Sequence, residues 1–293
     1  MGQAAGGHHR ARARGAGGAR DGGRSDALND LVAAAILGLV QGLSEFLPVS
    51  STAHLILVSQ ALGLDPDRFG LSFDVALHLG TALAVLLYFA RTWIGLIVDV
   101  IRGRWHVPLL IIIGTLPAAI AGVLFESTVS TTLRSAWWIV LGLVVGSLII
   151  VLAERVATQR RQVGSLGIGD AILIGAAQAI ALLPGISRSG ITISTGLFRD
   201  LTREEATRFS FLLATPVILG AGLKTLLDAR KAQALFDQPT VLAVGFVVAF
   251  LSGIAAVAFL LRFLRSHSLN WFVAYRLLLA AAVLVTLLLG YPV

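Results

Sequence analysis

Gln41-Gly-Leu-Ser-Glu45-Phe-Leu-Pro48-Val-Ser50-Ser51-Thr-Ala-His54 places a carboxylate, a proline, two adjacent hydroxyls and an imidazole inside otherwise apolar sequence. A plain membrane span has no use for that mixture. Leu31 to Leu43 is apolar but too short to cross a bilayer, and Pro48 interrupts it. Leu55 to Leu64 is a second short apolar piece, closed by Gly63 and Asp65-Pro66. Two half-length helices around a break read most economically as a re-entrant hairpin, because irregular backbone at membrane depth is tolerated where it lines a polar cavity. A single span kinked at Pro48 is the alternative.

The pattern recurs as Gln178-Ala-Ile-Ala-Leu-Leu-Pro184-Gly-Ile-Ser187-Arg188-Ser189-Gly-Ile-Thr192, between the short apolar pieces Asp170 to Leu183 and Ser189 to Leu197. Gly38-Leu-Val-Gln41 aligns with Gly175-Ala-Ala-Gln178, and Ser50-Ser51 with Ser187-Arg188-Ser189, after one residue of slip. Full-length candidate spans cover about 71–90, 107–125, 136–153, 209–227, 240–261 and 271–289, each near the ~20 residues a crossing helix needs. Each short pair is trailed by three spans, an odd number, so the two halves are expected to be inverted relative to one another. The expected fold is an all-α polytopic membrane protein with six transmembrane helices and two re-entrant helical hairpins in an inverted repeat. It divides into a disordered basic tail (1–26), a first repeat (27–160) and a second (161–293).

Composition supports this class. Hydrophobic residues make up 56% of the 293 and charged residues 13%, against about 25% charged in an average soluble domain, which excludes a large soluble domain. The net charge of +7 resides largely in the tail and in loops between apolar runs, where Arg and Lys report topology. Nucleic acid is therefore not an expected partner. With no cysteine, disulfides, thiolate nucleophiles and sulfur-ligated metals are excluded, and any metal must use oxygen or imidazole ligands. Residues 1–26 are mainly Gly, Ala and Arg; His8-His9 reads as solvated, and no apolar run with a small-residue cleavage site marks a cleaved signal peptide.

Arg91, Arg102 and Arg104, then Arg155, Arg160 and Arg161, then Arg262 and Arg265 fall in loops that span counting puts on one side, the cytoplasm. The termini and the first hairpin then open to the outside, and the second hairpin is inserted from the cytoplasm. The Arg-rich tail, placed outside, votes the other way.

On a helix Gln41 and Glu45 share a face, and Pro48 ends that helix before Ser50 or Ser51 can cap the next. The following helix offers free N–H groups and a positive dipole end at Ser50 to Ala53, a natural anion site, with His54 within reach. In the second break Ser187 and Ser189 supply hydroxyls, Arg188 a planar fork suited to phosphate, and Thr192 lies one turn on. Glu45 would repel such a ligand unless a divalent cation bridges them, and Mg²⁺ held by one carboxylate and the ligand's phosphate oxygens fits that need.

Blander readings compete. Serines in membrane helices usually bond a carbonyl one turn back, and a lone histidine is often a satisfied core residue. Glu45 and Arg188 are different, since charge at membrane depth is costly and points to function by default; a purely structural salt bridge between them is the rival account. Asp74 and His78, four apart early in the first full span, read as supports behind the ligand-contacting residues or as merely interfacial, and Asp170 as an N-cap. Arg203, Glu204, Glu205 and Arg208 read as a solvated helical face, and Trp93, Trp105, Trp137, Trp138 and Trp271 as interface anchors.

Gln41-x-x-x-Glu45 with Phe46-Leu-Pro-Val-Ser-Ser51, and Pro184-Gly-Ile-Ser-Arg-Ser-Gly-Ile-Thr192, resemble the two signature motifs of the bacterial undecaprenyl-diphosphate phosphatase family, the bacitracin-resistance type. The resemblance covers about 27–293. It implies six spans with two re-entrant hairpins, a bacterial inner-membrane location, and hydrolysis of the lipid diphosphate to lipid phosphate and inorganic phosphate. The site would open to the outer side and use Mg²⁺ or Ca²⁺. By the same resemblance Glu45 does metal or acid–base work, Arg188, Ser187 and Ser189 contact phosphate, and Ser50, Ser51 and His54 share nucleophile or proton-transfer roles. Some members carry Glu where Gln41 stands, so Gln41 ligates through its carbonyl or only orients water.

The function expected is thus a polyprenyl-diphosphate phosphatase that recycles the lipid carrier of cell-wall synthesis. The favoured mechanism is attack by Ser51, or by water in its place, with His54 as base. A polyprenyl-phosphate flippase or secondary transporter is the alternative, because inverted repeats with broken helices are also transporter architecture. A hydroxyl beside an imidazole and a carboxylate favours chemistry. The choice of nucleophile and cation, and whether the chain forms a homodimer, stay open at the level of sequence.

Overall fold

A computed structural model describes residues 18–125, 135–228 and 238–290, with 18–28 as backbone only. In chain order the helices are α1 (Gly18–Phe46), α2 (Ser51–Ala61), α3 (Pro66–Phe69), α4 (Leu71–Tyr88), α5 (Ala90–Ile101), α6 (His106–Leu124) and α7 (Ala136–Val156). After a 3₁₀ turn at Val163–Ser165 come α8 (Ile168–Ile180), α9 (Arg188–Phe198), α10 (Arg203–Leu227), α11 (Pro239–Phe263) and α12 (Asn270–Leu288). Among the described residues six segments are long and apolar enough to cross a membrane: Pro66–Tyr88, His106–Leu124, Ala136–Val156, Arg203–Leu227, Pro239–Phe263 and Asn270–Leu288. They match the six expected spans to within a few residues, and the chain is an all-α, multi-pass membrane protein.

Three local features differ from expectation. α1 runs from Gly18, so its backbone begins inside the segment read as a tail; residues 1–17 of that tail lie outside the described residues. The stretch expected to be a basic loop after the first span folds into α5, whose Ile94, Ile97 and Ile101 recur at helical spacing on an exposed face. Trp93, expected at a membrane interface, instead packs with Leu96 against the main core.

Small residues set how closely the helices approach. A Cβ on Gly38 would lie 2.5 Å from the Gly245 carbonyl oxygen, and one on Gly42 would lie 2.6 Å from that of Ala249, so α1 lies almost backbone to backbone on α11. Gly175 does the same for α8 against α6, where a Cβ would strike the Gly114 carbonyl. The first helix of each broken pair thus packs closely on a helix from the other half of the chain, α1 with its 29 residues being longer than the half-length piece expected. The largest apolar core lies beside them, built around Phe46, Phe89, Phe209 and Phe211, with the Phe46 and Phe211 rings edge-to-face at 5.1 Å.

At the start of α10 the charges expected to be solvated instead tie helices together. Arg203 chelates Glu154 of α7, with its closest contact at 2.5 Å; Glu205 accepts the Val163 N–H at 2.9 Å; Glu204 takes Arg208 at 2.9 Å and Arg265 at 3.1 Å. Asp170 does cap α8, accepting the Gly167 N–H at 3.0 Å, but it also binds Arg161 at 3.0 Å and Arg199 at 2.5 Å. Burial disfavours the Asp170 charge, yet the Gly167 N–H and the two guanidinium groups outweigh it and hold the carboxyl below the usual aspartate range.

Candidate active site

α1 ends at Phe46 and α8 at Ile180, and each chain then turns through a serine in left-handed backbone, Ser50 at φ 76° and Ser187 at φ 74°, before α2 and α9 begin. Such a conformation costs a non-glycine residue of order 1–3 kcal/mol, so surrounding contacts must fix it. Those contacts run from one break to the other. The Gly185 N–H donates to Ser50 Oγ at 3.1 Å, and Ser189 Oγ donates to the Leu47 carbonyl at 3.1 Å. Ser187 caps its own helix by accepting the Gly190 N–H at 3.2 Å.

Glu45 is the meeting point. Its side chain is almost wholly buried, Arg188 Nη2 donates to Oε1, and Oε2 accepts from Ser51 Oγ at 2.5 Å and Gln41 Nε2 at 3.0 Å. His78 Nε2 lies 3.3 Å from the same oxygen, while its Nδ1 is 2.7 Å from the Asp74 carbonyl. A carboxylate removed from water needs such partners, because burial of an unpaired charge costs several kcal/mol. His78 thus stands in the supporting position that is one of its two readings from sequence, four residues after Asp74.

Glu45, Ser51, His78, Ser187 and Arg188 line one cavity of about 500 Å³ together with Gln178. Its far wall is apolar and small, with Ala118 and Gly122 of α6 facing Val217 and Ile218 of α10, and Lys224 lies at its edge. Ser50 also lines it, although its hydroxyl is engaged by Gly185.

Four expected ligand-contacting residues are placed elsewhere. Gln41 lies behind Glu45, fully buried. Ser189 is turned to Leu47, and Thr192 to the Arg188 carbonyl at 2.7 Å and Ser210 Oγ at 2.6 Å, so both build the break and do not line the cavity. His54, expected beside the ligand, has Nδ1 2.8 Å from the Ser50 carbonyl and Nε2 2.6 Å from Tyr275 Oη, its ring stacked on that tyrosine at 5.6 Å. Three residues along a helix leave side chains about 60° apart, and that rotation turns His54 from the Ser51 side toward α12.

Sequence reading missed Arg276 altogether. It is fully buried, and its guanidinium donates to Ser147 Oγ (3.0 Å) and to the carbonyls of Pro48 (3.1 Å), Gly142 (3.1 Å), Leu143 (3.1 Å) and Gly185 (2.8 Å). One side chain therefore holds both breaks and α7 together. Gly146 makes room for it, since a Cβ there would collide with Nη2. The rule that a charge in an apolar span demands an explanation would have found it.

A divalent cation was tested against these groups. Among the described residues no three His, Asp or Glu side chains form a cluster able to hold one. Gln41 Oε1, however, is a buried hard oxygen beside Glu45 with no hydrogen-bond partner. The donor set fits a cation shared with a phosphate ligand, not a cage made by protein alone.

The family model for "Bacitracin resistance protein BacA" matches residues 34–282. An undecaprenyl-diphosphatase of Rubrobacter xylanophilus is 44% identical over 270 residues, covering 89% of this chain and 99% of that protein. Proteins of the same name from Thermodesulfovibrio yellowstonii and Mycolicibacterium smegmatis are 42% and 43% identical, covering 87% and 86% of this chain and 97% and 95% of theirs. With both signature stretches inside the matched region and meeting at one cavity, the chain belongs to the family of the bacitracin resistance protein BacA.

Proposed function

We propose that this membrane protein hydrolyses undecaprenyl diphosphate to undecaprenyl phosphate and inorganic phosphate, and so recycles the lipid carrier and confers bacitracin resistance. The observation that carries the reading is the convergence of Ser51, Glu45 and Arg188 on one cavity. The flippase or transporter alternative rests on architecture alone, and the relatives' names do not support it.

In the proposed reaction Ser51 Oγ, held against Glu45, attacks the terminal phosphorus and gives its proton to that carboxylate. The O–P bond to serine forms as the bridging P–O bond breaks and undecaprenyl phosphate leaves. Water then cleaves the phosphoserine, releasing inorganic phosphate and returning the proton to Ser51. Arg188 and the N-terminus of α9 stabilise charge on the phosphoryl oxygens, so positioning and electrostatics supply most of the rate. His78 supports Glu45. His54, reassigned from base to positioning, holds the Ser50–Ser51 turn from the α12 side. Glu45, which lines the cavity with Gln41 behind it, would hold a Mg²⁺ or Ca²⁺ ion together with the substrate's own oxygens, and when bound it would offset the diphosphate charge.

The basic ends of α7, α10 and α11 lie together, while the cavity follows the opposite, C-terminal half of α10. With the basic end cytoplasmic, the cavity faces the outer side of the bacterial inner membrane. A cavity of this size takes a diphosphate and the first prenyl units, leaving the remaining chain among the spans. Phosphate release by purified protein, with Ser51→Ala and Arg188→Lys variants, tests the roles. Near wild-type turnover in Ser51→Ala would remove the serine as nucleophile, and near wild-type turnover in Arg188→Lys would leave Arg188 a structural ion-pair partner only.

A further inference from the structure

The inverted halves treat one residue differently. Gln41 and Gln178 occupy matching positions, each near the end of the first helix of its break. Four residues on, the first copy has Glu45, which accepts the Gln41 Nε2 hydrogen bond; the second copy has Leu182. Gln178 therefore has no carboxylate to bind. Its side chain is 2% exposed, both Oε1 and Nε2 lack a hydrogen-bond partner, and it lines the same cavity as Arg188 and Ser187. Buried amides are nearly always paired, and one left open on both atoms at a cavity wall calls for a partner in the cavity.

We infer that Gln178 is a substrate-binding residue, its Nε2 donating to a non-bridging oxygen of the diphosphate held by Arg188. The cavity chemistry selects that partner. A guanidinium, a serine hydroxyl and a helix N-terminus draw an anion rich in acceptor oxygens, which is what an unpaired amide N–H requires. Oε1 then remains for a donor, and a water or a protonated phosphate oxygen supplies one. The inference rests on the diphosphate site proposed above and extends it to the helix that carried no assigned ligand contact.

The test compares wild type, Gln178→Leu, Gln178→Glu and Arg188→Ala in phosphate release from undecaprenyl diphosphate, with Mg²⁺ titration, inhibition by inorganic phosphate, and thermal melting of each purified protein. Gln178→Leu is expected to raise KM about tenfold or more, equivalent to about 1.4 kcal/mol, and to weaken phosphate inhibition in parallel. Its melting midpoint should be equal to or above wild type, because an unpaired buried amide has been removed. Gln178→Glu should raise KM further by repelling the anion. Wild-type kcat/KM in Gln178→Leu, or a lowered melting midpoint in it, would overturn the inference and make the amide structural. A lower Mg²⁺ requirement in Gln178→Glu would overturn it in favour of a cation ligand. Loss of activity in Arg188→Ala with wild-type Gln178→Leu removes Gln178 alone, whereas an active Arg188→Ala removes the diphosphate site itself.

Discussion

The two breaks share a sequence pattern but carry opposite charges. In the first, the carboxylate of Glu45 sits in the last turn of α1; in the second, the guanidinium of Arg188 opens α9. Each charge is at the unfavourable end of its own helix dipole, acid at a C-terminus and base at an N-terminus. Neither break is electrostatically comfortable alone, and each supplies what the other lacks. The same holds for the backbone, since Ser50 has no cap bond to α2 and is held by Gly185 from the other break, whereas Ser187 caps α9 itself. The two breaks together make one asymmetric cluster, with an acid–hydroxyl pair on one side and a guanidinium on the other.

The comparison breaks most severely at Arg188. Arg188→Ala is expected to leave a buried, under-paired Glu45 and to lower phosphate release by about a thousandfold or more, as removal of an arginine that stabilises phosphoryl charge does. A fall of less than tenfold in folded protein would refute its role.

Arg276→Met comes next, because it removes the link that both breaks share. Stability should fall by about 3 kcal/mol or more, at about 1–3 kcal/mol for each buried acceptor left unpaired, read as a lower midpoint in thermal or denaturant unfolding, with turnover lost in the fraction that remains folded. An unchanged midpoint would show that the breaks hold their geometry without it.

His78→Gln, which removes a partner holding Glu45 in place, is expected to reduce kcat/KM about a hundredfold, as misplacing a reacting group by about 1 Å does. Tyr275→Phe, which frees His54 from α12, should cost about three- to tenfold in kcat with no new pH dependence, since its effect passes through the Ser50–Ser51 turn. Equal losses would erase the distinction between the two histidines.

Gly42→Ala sharpens the packing half of the comparison. Its methyl would press on the α11 backbone at Ala249 and Gly253, and about 1–3 kcal/mol of destabilisation is expected. Gly95→Ala, with open space around it, should leave stability unchanged or slightly raised.

Acid should have the smallest effect. Asp170 is held below its usual range in the folded state, so its contribution is present above the unfolded aspartate pKa and is lost as pH falls through the lower folded value. Wild type is expected to lose thermal stability below about pH 4 more steeply than Asp170→Asn; parallel curves would show that the tie contributes nothing.

Most of the fold was legible because membrane helices announce themselves by length and apolarity, and the break motifs by residues that no span tolerates without reason. Glu45, Ser51, Ser187 and Arg188, singled out in this way, line the cavity. What was not legible depends on rotation about helix axes. Residues three apart, such as Ser51 and His54, look adjacent in the chain yet face different neighbours. That His78 and Gln178 line the cavity depends on which helix lies opposite. Arg276 differs, since its charge inside an apolar span was visible and went unread, and only its five acceptors reveal what it does.

A double-mutant cycle on phosphate release, with Glu45→Gln, Arg188→Gln and the pair combined, tests most directly whether the two breaks act as one site. The expected result is strong non-additivity, with the double variant no slower than the worse single variant, as for residues that work as a unit. Losses that multiply would place the carboxylate and the guanidinium in independent roles and contradict a single shared centre.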